Sequence, residues 1–199
     1  MREVNESEVR KLVREAVERA LGPDKGKPPE APIRERPAAL APPIEHSVAI
    51  GSDHGGFELK QVLARFLKDE LGWAVHDCGT HSAEAVDYPD FAAAVAREVA
   101  SGRAARGVVV DAAGIGSGIA ANKIPGVRCA VCHDDQTARN SREHNDANVL
   151  SLGAKIVHRG EAMRIVRLFL TTPFAGGRHE RRVRKIMALE PGASAGTRT

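Results

Sequence analysis

The sequence predicts a three-layer α/β sandwich built on a five-stranded parallel sheet. Two observations carry that prediction. Five short apolar runs, at 47–51, 74–78, 107–110, 128–132 and 148–152, alternate with stretches of helical periodicity. Such alternation implies right-handed crossovers that lay parallel strands side by side. The first and third runs each end in a turn rich in glycine and polar residues. The carboxyl edge of such a sheet is where ligands bind.

The elements follow in order. Within residues 3–21, Val9, Leu12, Val13, Ala16, Val17, Ala20 and Leu21 recur at helical spacing, with Arg10, Lys11, Arg14, Glu15, Glu18 and Arg19 between them. This is an amphipathic helix, capped by Asn5 or Ser7 and ended by Gly22-Pro23. Residues 22–45 hold seven of the eleven prolines, so they form an extended linker that buries no core. Residues 46–190 are the compact domain, with helices expected at 57–71, 91–101, 117–123, 135–143, 159–170 and 178–189. Residues 191–199 read as a frayed tail.

Bulk properties narrow the function. At 199 residues the chain fits one domain plus extras, and its formal charge of +3 is not the footprint of a nucleic-acid binder. No apolar run nears the ~20 residues that cross a membrane, and charges begin at Arg2 and Glu3. The expectation is a soluble, cytoplasmic protein. Three cysteines do not suggest a disulfide scaffold. Cys129-Ala-Val-Cys132-His133 matches a haem-attachment pattern, but it lies in a strand-like run, where residues three apart face opposite sides. The two cysteines are expected to pack in a sheet.

Four segments are dense in chemistry. Asp53-His54-Gly55-Gly56 leaves a strand and enters a helix, where it either binds a polyhydroxylated ligand or caps that helix. Asp111 ends an apolar strand, and Gly114, Ile115, Gly116, Ser117 and Gly118 follow. This turn lacks the last glycine of a dinucleotide fingerprint and the lysine of a Walker loop. It reads as a backbone cradle for an oxyanion or phosphate, or as a tight strand–helix junction. Arg142-Glu-His144-Asn145-Asp146-Ala-Asn148 offers an imidazole able to act as acid or base near neutral pH, or forms a solvated loop with Asn and Asp in turn positions. Arg178 and Arg182 share one helix face beside His179, a grip for a phosphate dianion at a helix start. The alternative there is a basic solvated face, and no aromatic residues are interleaved for base stacking.

Together these motifs, with Val86-Asp-Tyr-Pro-Asp90 and Ile119-Ala-Ala-Asn-Lys123, resemble the type B ribose-5-phosphate isomerases, a family that includes galactose-6-phosphate isomerase subunits. The resemblance covers 47–190. It implies a Rossmann-like domain that forms a homodimer or dimer of dimers, with the active site between subunits and no metal or organic cofactor. It further implies that His144 opens the sugar ring and that Asp53 and His54 contact the sugar. Arg178, His179 and Arg182 would sit at the phosphate. Asn145 and the amides of 112–118 would hold the enediolate. Lys155 stands where some members have a phosphate-contacting Arg.

The chain departs from that pattern at the base. Family members supply a Cys at the end of the third strand or a Glu later in the turn, with a Thr or Ser assisting; here the positions hold Asp111, Ser117 and Ala113. Asp111 is therefore the expected base, its pKa raised by burial. The expected reaction is aldose–ketose isomerisation of a phosphopentose, ribose 5-phosphate to ribulose 5-phosphate. The alternatives are a hexose-6-phosphate isomerase and a non-catalytic sugar-phosphate-binding protein. The helix at 3–21 resembles encapsulation peptides of bacterial microcompartments, which implies shell or cargo proteins as partners.

Overall fold

The computed structural model describes residues 45–191 and, before them, Lys11. Apart from Lys11, Glu45 and Pro191, the helix expected at 3–21, the linker at 22–45 and the tail at 191–199 lie outside the described residues. The fold is that of the unit Ala39–Thr199.

Five strands, β1 (Ser47–Ser52), β2 (Ala74–Asp77), β3 (Arg106–Asp111), β4 (Cys129–Val131) and β5 (Val149–Gly153), form one sheet in the order β2-β1-β3-β5-β4. Every pairing is parallel. The helices are α1 (Phe57–Arg65), continued by a π-type turn at Phe66–Glu70, then α2 (Tyr88–Ala100), α3 (Ile115–Ala121), α4 (Asp135–Asn145), α5 (Arg159–Thr171) and α6 (Arg178–Met187).

Side-chain alternation along the strands makes two cores. Val48, Ile50, Val108, Val110, Leu150 and Leu152 meet α1, α4 and α5 on one face. Ala49, Val109 and Val149 meet α2 and α3 on the other. On that second face the strands carry small residues. A side chain at Gly51 or Gly107 would come within 2.8 Å of Val95, so α2 packs almost on the backbone. Cys129 belongs to this second core and Cys132 to the first, the opposed facing that strand geometry requires. Burial pushes the Cys129 thiol up to about 12 and raises Cys132 as well, so both stay protonated and are poor metal ligands.

Strand and helix boundaries fall within a few residues of those expected, and the misses have causes. Pro89 sits in the first turn of α2, where its fixed φ suits a helix start, so α2 begins at Tyr88 rather than 91. Gly114, with φ +80°, turns the chain directly into α3 two residues early. Asp146, left-handed at φ 46°, ends α4. Among the described residues, no helix is long and apolar enough to cross a membrane.

Candidate active site

From β1 the chain moves to β2 on one side, and β3 returns to the other side of β1. The carboxyl ends of β1 and β3 therefore flank the topological switch point, where open α/β sheets bind ligands. Asp53 is buried there, and its Oδ1 accepts the Gly56 amide at 2.9 Å. A Cβ at Gly56 would overlap the Val110 carbonyl oxygen at 2.3 Å, so only glycine lets the β1–α1 turn lie against β3. His54 is exposed beside it, with Nδ1 3.3 Å from the Val86 amide and 3.2 Å from its carbonyl. That fixes the ring and leaves Nε2 for a ligand.

Asp111 is buried at the end of β3. Its Oδ1 accepts the amides of Ala113 and Gly114, the first at 2.8 Å, and its Oδ2 accepts the Ser117 amide at 2.9 Å. The expected rise in its pKa is not what the structure shows. Burial pushes upward, but hydrogen bonds from Ser117, Gly114 and Ala113 outweigh it and hold the carboxyl below the ordinary carboxylate value. Asp111 thus fills part of the cradle from within. By helix geometry the Ile115 and Gly116 amides have no acceptor inside α3, and they remain for a ligand. Gly118 donates back to the Gly114 carbonyl at 3.3 Å.

A carboxyl with a depressed folded pKa stabilises the fold above its unfolded pKa of ~3.9, and that stabilisation disappears as pH falls toward the folded value. The melting-temperature gap between wild type and Asp111→Asn is therefore expected to be full at pH 7 and to close below about pH 4. Thermal melts across that range measure it. A gap that stays constant to the lowest pH would contradict the assignment.

The second cluster lies elsewhere. Helix α4 runs antiparallel to the strands, so its last residues, His144 and Asn145, sit at the amino edge of the sheet. The residue chain there is continuous with β5, whose neighbour Asn148 accepts the Gly107 amide at 2.9 Å. Asp146 locks this helix end, taking Arg142 at 2.7 Å and Arg128 at 2.9 Å on its two carboxylate oxygens. Arg128 also holds the Asn145 carbonyl at 3.1 Å. The start of α6 docks on it: His179 stacks on His144 with centroids 4.1 Å apart and planes 4° apart. Arg178 and Arg182 lie exposed on the first turns of α6.

The expected site residues therefore form two groups. Asp53, His54, Asp111 and the 114–118 turn share the carboxyl edge. His144, Asn145, Arg178, His179 and Arg182 share the amino edge. The length of β3 separates them, roughly 17 Å for its six residues, more than a phosphopentose of under about 10 Å can bridge.

Sequence reasoning missed three supporting residues. Ser151 on β5 donates its hydroxyl to the Gly114 carbonyl at 2.5 Å, fixing the turn from behind. Tyr88 lies over Gly116, where any Cβ would come within 2.7 Å of its ring. Lys60, wholly buried on α1, pairs with Asp77 at 2.6 and 2.7 Å. Tyr88 lies within the Val86–Asp90 motif and Lys60 on the apolar side of a helix, while nothing in the sequence marks Ser151. Lys155 borders a cavity of about 490 Å³ that His54 also lines, between α1 and the start of α5. Among the described residues, no three His, Cys, Asp or Glu side chains converge to hold a metal ion.

An anion cradle beside a carboxylate at the switch point, with a separate arginine–histidine cluster, is the equipment of an α/β enzyme acting on an anionic small molecule. Residues 48–186 match the model of the Ribose/Galactose Isomerase family. Ribose-5-phosphate isomerase B of Escherichia coli (strain K12) is 43% identical over 143 residues, 72% of this chain and 95% of that protein. Ribose-5-phosphate isomerase B of Clostridium thermocellum shares 52% identity with a TM-score of 0.70, over 71% of this chain and 95% of that one. The type B ribose 5-phosphate isomerase of Trypanosoma brucei shares 45% with a TM-score of 0.71, over 73% and 99%. The chain belongs to the Ribose/Galactose Isomerase family, and it is an isomerase with a Rossmann-like fold.

Proposed function

We propose that this isomerase interconverts ribose 5-phosphate and ribulose 5-phosphate through an enediolate, in a site completed by a second copy of the chain. The observation that carries the composite site is the separation of the two clusters along β3. A twofold dimer places the carboxyl edge of one subunit against the amino edge of its partner and so makes two equal sites. Ile115 and Ile119, each 58% exposed and one turn apart on α3, support it as an apolar rim beside the cradle.

In that site Arg178 and Arg182 of one subunit grip the phosphate. His144 takes the C1 hydroxyl proton and returns a proton to the ring oxygen, opening the sugar. Asp53 and His54 of the other subunit orient the open chain. Asp111, its carboxyl held below the ordinary value, is ionised at neutral pH. It takes the C2 proton and delivers it to C1, while the O2 hydroxyl proton passes to O1, so that the aldose and ketose balance. The Ile115 and Gly116 amides and Asn145 hold the negative oxygens of the enediolate. Carboxylate bases serve other isomerases that pass through enolate-type intermediates.

A panel of aldose phosphates tests the reading. Turnover is expected to be fastest with ribose 5-phosphate. Faster turnover of a hexose 6-phosphate would move the assignment to that substrate, and binding without turnover of any would make the chain a sugar-phosphate-binding protein, the role favoured if Asp111 serves only to cap α3. We also propose, from sequence alone, that residues 3–21 dock on shell or cargo proteins of a microcompartment; a fluorescent fusion of residues 1–45 that stayed diffuse in shell-producing cells would end that proposal.

A further inference from the structure

We propose that His179 is a positioning residue: its Nε2 holds the Arg178 guanidinium and its ring face holds the His144 imidazole in one orientation. This rests on the reading of His144 as the ring-opening group and Arg178 as a phosphate ligand.

His179 is 7% exposed, although its neighbours Arg178 and Glu180 are on the surface. Its Nε2 lies 3.3 Å from Arg178 Nε. A guanidinium nitrogen only donates, so His179 Nε2 is an acceptor and the neutral ring carries its proton on Nδ1. That Nδ1 is buried without a partner, so nothing there would stabilise a second proton on the ring. The charged or chargeable groups that bear on it are His144 from α4 and Arg178 and Arg182 from α6; burial first, then these three, lower its pKa. Protonating Nε2 would break the bond to Arg178 and place a cation against a guanidinium. Stacked at 4.1 Å and nearly parallel, two imidazolium rings would repel each other. The flat contact holds the His144 ring in one orientation.

Two substitutions separate the two contacts. In His179→Phe the ring face stays and the acceptor for Arg178 is lost. KM for the sugar phosphate is then expected to rise about tenfold, with kcat changed less than about twofold. In His179→Gln the amide oxygen replaces the acceptor and the stack is lost; kcat is expected to fall about tenfold with KM nearly unchanged. NMR of the full chain reads the His179 ring without turnover: it is expected to stay in its Nδ1–H form, with Nε2 accepting from Arg178. Loss of thermal stability without this split, or a proton on His179 Nε2, would overturn the proposal. Arg178→Ala and His144→Asn are assayed alongside. If they leave turnover intact, the functional reading falls; if they abolish it and the His179 variants still show no split, the positioning role falls.

Discussion

Asp111→Asn is expected to lower kcat by about 10³-fold, the usual contribution of a positioned general base. KM should change little, because the phosphate grip lies on the other cluster. The same substitution should also destabilise the protein. Asparagine can still accept the Ala113 and Gly114 amides through its oxygen, but its NH₂ group would then face the Ser117 amide, donor against donor. Losing that buried bond costs about 1–3 kcal/mol. Purified variant and wild type, compared by initial rates and by urea titration, separate the two effects. Unchanged turnover with lowered stability would make Asp111 a helix cap alone and would return the proton transfer to another group.

The largest expected effect on stability comes from a pair far less visible in the sequence. Lys60 is 0% exposed, and the Asp77 side chain 32%. The ammonium contacts both Asp77 oxygens, and the Phe57 ring lies 5.7 Å from it. Asp77→Ala would leave a lysine charge in the core with no counter-ion, a loss of about 3–5 kcal/mol. Lys60→Met should cost less, because Asp77 can turn to water. Asp77 also accepts the Gly79 amide at 2.9 Å, and the Gly79–Thr80 segment exchanges two 2.8 Å backbone bonds with Ser52. Ser52 directly precedes Asp53, so Asp77→Ala is expected to weaken sugar binding too. Denaturant midpoints and KM measure this. Equal midpoints for the two variants would show that Lys60 reaches water by another route.

The strands were legible because both of their cores are continuous and apolar. Val108–Val110 is buried on both faces and reads as a strand in any window. The glycine turn was legible as a cradle, but what fills it was not. A carboxylate at a strand end is equally a base or a cap in one dimension, and only the distances from Asp111 to Ala113 and Ser117 show that it caps. The motifs were also readable one by one, while their division between opposite edges of the sheet was not. It follows from α4 running back along β5, a consequence of topology rather than of any local pattern. Lys60 misleads for a similar reason: its counter-ion, Asp77, lies on a different element, seventeen residues away.

A working site is expected to need residues from two copies of the chain. Subunit complementation tests it most directly. Asp111→Asn and His144→Asn are each expected to be nearly inactive alone. Unfolded and refolded together in equal amounts, half the dimers should be mixed. Each mixed dimer then holds one site with neither substitution and one with both, so activity should return to about a quarter of wild type. Recovery to that level is the predicted result. A mixture that forms mixed dimers yet stays as inactive as its parents would contradict the composite site.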